Sequence, residues 1–264
     1  MTFLEAIILG IIQGLTEFLP VSSSGHLEIG TVLLGVKSKD NLLFSIVVHG
    51  ATALSTIVVF REDIFQIIKD IFKFEWNDSV EFSLKMIISM IPVGVVGVLF
   101  EDKIESFFGG QILLVGSMLL LTGLLLLFTF FRGQTKGSVT YPKAVLIGIA
   151  QAIAIMPGIS RSGATISTAL LLGVDKEKAA KFSFLMVLIP ILGAMLLKVK
   201  NLIETPELAS DISLLSLTVG FLTAFISGLL ACKWMISIVK KGKLIYFAIY
   251  CFVIGGVAII ACLI

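Results

Sequence analysis

The chain has 264 residues, of which 57% are hydrophobic and 14% are charged. Its mean hydropathy of +1.08 lies far outside the balance of soluble proteins and predicts an integral membrane protein in contact with the lipid bilayer. The net charge of +2 is too small to indicate a nucleic acid partner. Long apolar stretches recur to the last residue, so we predict a single membrane domain over residues 1–264.

The first region, residues 3–35, contains two apolar pieces that are each too short to cross a bilayer, separated by "PVSSSGH". Residues 143–173 have the same arrangement around "PGISRSG". Both regions are therefore predicted to be re-entrant helical hairpins. The other long apolar stretches each approach the roughly 20 residues that a membrane span needs. These six predicted transmembrane helices lie near 42–60, 84–100, 110–131, 179–198, 212–233 and 244–264.

An internal duplication relates the two halves of this all-α chain. A shift of 138 residues aligns Gly10, Ile11, Gln13, Ser22, Ser24 and Gly25 with Gly148, Ile149, Gln151, Ser160, Ser162 and Gly163. Repeat 1 covers about 1–131 and repeat 2 about 143–264. Because each repeat has one hairpin and three spans, the second must enter the membrane the opposite way up. The two polar loops are then expected to meet near the bilayer midplane.

The basic residues between the spans predict the orientation. One side of the predicted topology collects most of them, including Arg61, Lys136 and Lys240, while Lys37 and Lys103 lie on the other side. We expect the first side to be cytoplasmic. The mouth of the first hairpin would then open outward, to the periplasmic or extracellular side.

Gln13 and Glu17 lie four residues apart, so they share one face of a helix that Pro20 ends. A carboxylate at membrane depth is costly and is usually paired, so Glu17 is either half of a structural ion pair or a functional group at the loop. Gln13 has the alternative of joining two helices by a hydrogen bond.

Ser22, Ser23, Ser24 and Gly25 stand where the next helix begins. Serines there are common helix caps, but hydroxyls beside free backbone N–H groups also form anion sites, and glycine lets a phosphate come close. His26 follows Ser23 by three residues. One helical turn would bring imidazole and hydroxyl together, which is typical of a base-activated nucleophile or of an acid that serves a leaving group.

The second hairpin places Arg161 between Ser160 and Ser162, after Pro157 has broken the helix. A buried guanidinium needs an anionic partner, which is either Glu17 or a substrate phosphate. Thr165, one turn onward, offers a further hydroxyl.

Together, "QGLTEFLPVSSSGH" and "PGISRSGAT" resemble the two signature motifs of the undecaprenyl-diphosphate phosphatase family, also called bacitracin-resistance proteins. The resemblance covers the whole chain. It implies hydrolysis of undecaprenyl diphosphate, a polyprenyl diphosphate lipid, to the monophosphate carrier used in cell-wall synthesis, in a bacterial plasma membrane. The family's acidic motif, Glu or Gln followed four residues later by Glu, matches Gln13 and Glu17.

The serine, histidine and arginine positions of the family match Ser22, Ser23, His26 and Arg161. We therefore predict that the catalytic residues are His26, Ser23, Glu17 and Arg161. The predicted substrate-binding residues are Gln13, Ser22, Ser24, Gly25, Gly158, Ser160, Ser162 and Thr165.

Two mechanisms stay open: attack on the terminal phosphorus by Ser23 assisted by His26, or direct attack by His26. Glu17 would orient the histidine or, with Gln13, bind a divalent cation. Mg²⁺ or Ca²⁺ is the expected cofactor, and the substrate diphosphate could supply most of its oxygen ligands.

The alternative function is a secondary transporter or lipid flippase, because inverted repeats with broken helices are typical of such proteins. A homodimer is one expectation for the assembly.

Overall fold

The computed structural model describes residues 1–36, 38–100, 103–104, 106–107, 111–133, 136–204 and 212–263. Within those ranges twelve helices have defined bounds. They are α1 (Phe3–Phe18), α2 (Ser23–Leu34), α3 (Ser38–Val59), α4 (Arg61–Ile71), α5 (Asp78–Leu99), α6 (Ile112–Phe130), α7 (Tyr141–Ile153), α8 (Arg161–Leu171), α9 (Lys176–Met186), α10 (Leu188–Glu204), α11 (Leu214–Lys241) and α12 (Ile245–Leu263). Lys37, which enters the orientation prediction, lies outside the described residues.

Five segments of the described chain are long and apolar enough to cross a membrane: Asp78–Leu99, Ile112–Phe130, Lys176–Leu197, Leu214–Lys241 and Ile245–Leu263. A sixth candidate, Leu43–Val59, bends by 75° into the exposed helix α4. The prediction of an all-helical, multi-pass membrane protein is confirmed at this level.

Some helix ends differ from the predicted spans because hydropathy marks only the apolar part of a helix. Helix α5 begins at Asp78, six residues before the predicted span, where the side chain of Asn77 caps its N-terminus. Helix α11 continues through Lys240 and Lys241 until Gly242 adopts a left-handed conformation with φ 69°.

Each polar interruption separates two short helices. Helix α1 ends at Phe18, two residues before Pro20, and α2 begins at Ser23. The second break runs from the end of α7 at Ile153 to the start of α8 at Arg161. The first break lies where the sequence predicts it, whereas the helix before the second break ends at Ile153, four residues before the Pro157 that was expected to end it.

The first helix of each hairpin packs closely on a long helix of the other half of the chain. A Cβ on Gly10 of α1 would overlap Thr223 and the backbone of Gly220 in α11. A Cβ on the equivalent residue Gly148 of α7 would overlap the backbone of Ser89 in α5. Only glycine permits these approaches, and they carry both hairpin loops into the protein interior.

The two loops touch there. A Cβ placed on Gly25 would lie 3.1 Å from Cα of Gly158, and one on Gly163 would lie 3.3 Å from Cβ of Pro20. Helix α6 packs against both α2 and α8. The polar residues of the two hairpins consequently share one interior region.

Candidate functional site

An ion pair joins the two hairpins. Glu17, in the last turn of α1, accepts a hydrogen bond from Arg161, the first residue of α8, with Oε1 and Nη2 2.6 Å apart. The two side chains are only 8% and 16% exposed. Burial removes both charges from water, so each depends on the other and on further hydrogen bonds.

The second carboxylate oxygen of Glu17 accepts two more hydrogen bonds. Its Oε2 accepts from Nε2 of Gln13 at 3.0 Å and from the hydroxyl of Ser23 at 2.7 Å. The spacing of four residues on α1 places Gln13 beside the carboxylate, as predicted. Glu17 is therefore the centre of a cluster drawn from α1, α2 and α8.

Two polar atoms of this cluster have no hydrogen-bond partner among the described residues. They are Nη1 of Arg161, a buried donor, and Oε1 of Gln13, a buried acceptor. Buried polar groups in native proteins nearly always have a hydrogen-bond partner, so we expect a polar ligand or water to bind these two atoms. A buried cationic donor beside a polar cluster suits an anion.

The flanking serines cap the two helices that start at the cluster. Ser22 accepts from the backbone N–H of Gly25 at 3.2 Å, and Ser160 accepts from that of Gly163 at 3.0 Å. The hydroxyl of Ser24 lies 3.3 Å from that of Ser22. The capping interpretation is confirmed for Ser22, and Ser160, for which no cap was predicted, has the same role in the second hairpin.

Other predicted ligands also bond within the protein. Ser162 donates to the carbonyl of Leu19 at 3.2 Å and so links the two loops. Thr165 is buried against α9, where its hydroxyl lies 2.5 Å from that of Ser183. Their predicted role as substrate ligands stays a prediction.

The second loop is anchored from α6. The hydroxyl of Thr122 donates to the carbonyl of Gly158 and accepts from the N–H of Ser160, at 3.1 and 3.0 Å. Gly158 has φ 95°, which favours glycine at this turn. The only sequence signal for Thr122 is a hydroxyl within an apolar span.

Comparison with known proteins agrees with these motifs. The family model described as "Bacitracin resistance protein BacA" matches residues 6–257. The chain belongs to the BacA family.

Several relatives are similar over nearly their whole length. One from Parabacteroides distasonis is 56% identical over 99% of this chain and 98% of its own. Others from Bacteroides fragilis and Christiangramia forsetii are 55% and 57% identical, each over 98% of both chains. All three bear the name undecaprenyl-diphosphatase. The BacA relationship therefore extends over both hairpins.

The histidine of the first BacA-type motif does not pair with the predicted partners. Nδ1 of His26 lies 2.8 Å from the carbonyl oxygen of Ser22, and Nε2 lies 2.8 Å from the hydroxyl of Tyr250. Ser23 instead donates to Glu17, because a carboxylate is a stronger acceptor than a neutral imidazole. The expected Ser23–His26 and Glu17–His26 hydrogen bonds are absent from this structure.

Tyr250 was not predicted. It lies on α12, 224 residues from His26, and the two rings stack with centroids 5.6 Å apart and planes 14° from parallel. A tyrosine inside an apolar span indicates that its hydroxyl has a partner, but the sequence does not say which one.

A divalent cation would find few protein ligands at the cluster. The described residues contain no group of three or more His, Cys, Asp or Glu side chains that could hold a metal. Glu17 and Gln13 offer oxygen atoms, and Oε1 of Gln13 is unpartnered there. Hard cations take six or more oxygens, so these two residues fit such an ion only if other oxygens complete its shell.

Proposed function

We propose that this protein hydrolyses undecaprenyl diphosphate to undecaprenyl phosphate and inorganic phosphate in a bacterial plasma membrane. Membership of the BacA family and relatives named undecaprenyl-diphosphatase at 55–57% identity support this activity. Through that reaction the protein would recycle the lipid carrier and give resistance to bacitracin.

The observation that carries the proposal is the junction of the two hairpins. Arg161 donates to Glu17 through Nη2 while its buried Nη1 has no hydrogen-bond partner among the described residues. A diphosphate oxygen would satisfy that donor, and the N-termini of α2 and α8 would add backbone dipoles favourable to negative charge.

We propose Ser23 as the nucleophile and Glu17 as its base. The hydroxyl already donates to Oε2 of Glu17 at 2.7 Å. The bond from Ser23 Oγ to the terminal phosphorus forms as the bond from that phosphorus to the bridging oxygen breaks, and the hydroxyl proton passes to Glu17. Arg161 stabilises the charge that builds on the transferring group.

His26 completes the proton balance in this scheme. Its imidazolium gives a proton to the oxygen of the leaving lipid monophosphate. Water then attacks the phosphoserine and returns a proton to His26, while Ser23 recovers its proton from Glu17. Direct attack by His26 is less favoured, because the Nε2 lone pair that would have to reach the phosphorus faces the Tyr250 hydroxyl, and Nδ1 faces the Ser22 carbonyl. An Nε2–H, in contrast, can be shared between Tyr250 and the leaving oxygen.

A divalent cation, Mg²⁺ or Ca²⁺, would enter with the substrate and be held by Glu17 and Gln13 together with diphosphate oxygens. When bound it would neutralise part of the diphosphate charge. Removal of the cation with a chelator should then lower the rate, and restoring Mg²⁺ should recover it.

The proposed membrane arrangement has six spans and two re-entrant hairpins in inverted repeats over about 1–131 and 143–264. The matched packing of α1 on α11 and of α7 on α5 supports it. Single cysteines at Val36 and Lys136, after replacement of Cys232, Cys251 and Cys262, should label from opposite sides. Labelling from one side would contradict the inversion. The outward-facing site and the homodimer stay predictions.

The decisive experiment is phosphate release by purified, detergent-solubilised protein from a long-chain prenyl diphosphate. Release of one phosphate per lipid supports the proposal. Transport of the intact lipid in proteoliposomes without phosphate release would favour a transporter instead.

Trapping tests the nucleophile. Rapid quenching during turnover of substrate labelled in the terminal phosphate should yield labelled phosphoserine, and Ser23→Ala should abolish it. A Ser23→Ala variant with normal turnover would remove Ser23 from the mechanism.

A further inference from the structure

Both nitrogens of the His26 ring are engaged, and by different chemical groups. Nδ1 faces the backbone carbonyl of Ser22, and Nε2 faces the hydroxyl of Tyr250, each at 2.8 Å. A carbonyl oxygen can only accept a hydrogen bond, so Nδ1 must carry a proton. In the neutral ring the lone pair therefore lies on Nε2, where the Tyr250 hydroxyl donates to it.

The backbone helps to hold this tautomer. Ser22 has φ 70°, an uncommon conformation for a residue other than glycine. Its carbonyl accepts from the backbone N–H of His26 at 3.1 Å as well as facing the ring. The ring Nδ1 and the backbone N–H of His26 thus share one acceptor, the carbonyl oxygen of Ser22. This shared contact fixes the side of the ring that carries Nδ1.

Helix α12 holds the first loop at two successive positions. Tyr250 contacts His26, and the thiol of the next residue, Cys251, lies 3.7 Å from the carbonyl oxygen of Pro20. Tyr250 therefore lies on a helix, α12, that packs directly against the loop between α1 and α2. The stacked rings, 14° from parallel, further restrict rotation of the imidazole.

We infer that Tyr250 is a positioning residue for the reaction, which holds the His26 ring so that Nε2 is the nitrogen that gains and loses the proton. The inference rests on the proposed function for its catalytic meaning. When the ring is neutral, the tyrosine donates to Nε2; when the ring is protonated, Nε2–H is shared between the tyrosine oxygen and the leaving oxygen of the substrate. The same contact serves both charge states, so the ring need not turn between the two halves of the reaction.

A double-mutant cycle tests this role. Tyr250→Phe keeps the ring but removes the hydroxyl, and we expect kcat to fall about 10-fold with KM within about twofold of wild type. In a His26→Gln background the same substitution should have no further effect, because Tyr250 acts through His26. Tyr246→Phe, one turn earlier on α12 and 64% exposed, is the matched control and should keep wild-type kinetics.

Two kinetic results would overturn the inference. One is wild-type kcat in Tyr250→Phe. The other is an equal loss in the wild-type and His26→Gln backgrounds, since that would show an effect on the protein as a whole rather than on the histidine.

Nitrogen NMR of protein labelled at histidine gives a readout apart from activity. The chain has two histidines, so the spectrum of His26→Gln assigns the His26 signals by difference. Wild type should show a protonated Nδ1 and a hydrogen-bonded Nε2, and Tyr250→Phe should shift the Nε2 resonance. An unshifted resonance overturns the inference. If the wild-type protein releases no phosphate and Tyr250→Phe nevertheless shifts the Nε2 resonance, the proposed function is overturned and the positioning of the ring stays supported.

Discussion

The two hairpins share a serine-capped second helix but carry different chemical groups. Ser22 and Ser160 occupy equivalent positions and both cap the following helix by accepting from a glycine N–H three residues on. One residue later the first hairpin has Ser23 and the second has Arg161. The same capping hydrogen bond thus occurs in both hairpins, and the next residue supplies a hydroxyl in the first hairpin and a cation in the second.

The carboxylate and the imidazole also occur in one hairpin only. The shift of 138 residues places Ile155 opposite Glu17 and Ala164 opposite His26. Groups that can exchange protons therefore come from the first hairpin, and the buried positive charge comes from the second. Neither hairpin alone holds both, so the site exists only where the two loops meet.

The two capping serines differ in backbone conformation. Ser22 has φ 70° while its counterpart Ser160 has φ −72°. A positive φ in a residue other than glycine costs energy, and such strained residues are enriched at functional sites. In this chain the strained copy is the one that directs a carbonyl to His26.

The largest expected effect comes from removing the carboxylate that distinguishes the first hairpin. Glu17→Gln keeps the side-chain shape but cannot accept the Ser23 proton, so we expect kcat to fall about 1,000-fold or more. Phosphate release under saturating substrate is the measurement. Ile155→Leu, at the equivalent position, should stay within about twofold of wild type.

Moving the carboxylate would sharpen the comparison. Glu17→Gln combined with Ile155→Glu restores the charge but on the other hairpin, and we expect no recovery of activity. Recovery would mean that the two hairpins are chemically interchangeable.

The second largest effect is expected from removing the guanidinium of Arg161. Arg161→Ala removes a donor to the diphosphate and leaves Glu17 buried without its charge partner, so kcat/KM should fall about 100- to 1,000-fold. Arg161→Lys should recover only part of this loss, because the lysine ammonium cannot form the two parallel hydrogen bonds that a guanidinium makes to a phosphate. Arg132→Ala, at an exposed arginine, is the control, and thermal unfolding of each purified variant separates lost activity from lost fold.

The smallest effect is expected from substituting Gln13, and Gln151 at the equivalent position of the second hairpin serves for comparison. Gln13 donates to Glu17, whereas both amide atoms of Gln151 are buried without a hydrogen-bond partner among the described residues. Gln13→Met should lower kcat about 10-fold, because the carboxylate loses a donor. Gln151→Met should leave activity unchanged and keep or raise the unfolding temperature, because it removes an unsatisfied polar group. Equal losses at both positions would contradict the asymmetry.

The sequence by itself determined the membrane class, the approximate position of both breaks and the residues of the central cluster. Apolar runs, prolines and capping serines are local signals, and a buried carboxylate or guanidinium stands out in any apolar segment. For this reason Glu17 and Arg161 could be singled out before their contact was known.

Only the tertiary structure decided which of these groups touch. Glu17 accepts from Arg161 and Ser23, and His26 pairs with Tyr250 rather than with Ser23 or Glu17. A hydrogen bond requires a partner within about 3 Å, and here Arg161 and Tyr250 are supplied by helices 144 and 224 residues away from Glu17 and His26. Local sequence determines which groups need a partner, whereas the packing of distant helices determines which partner each one meets.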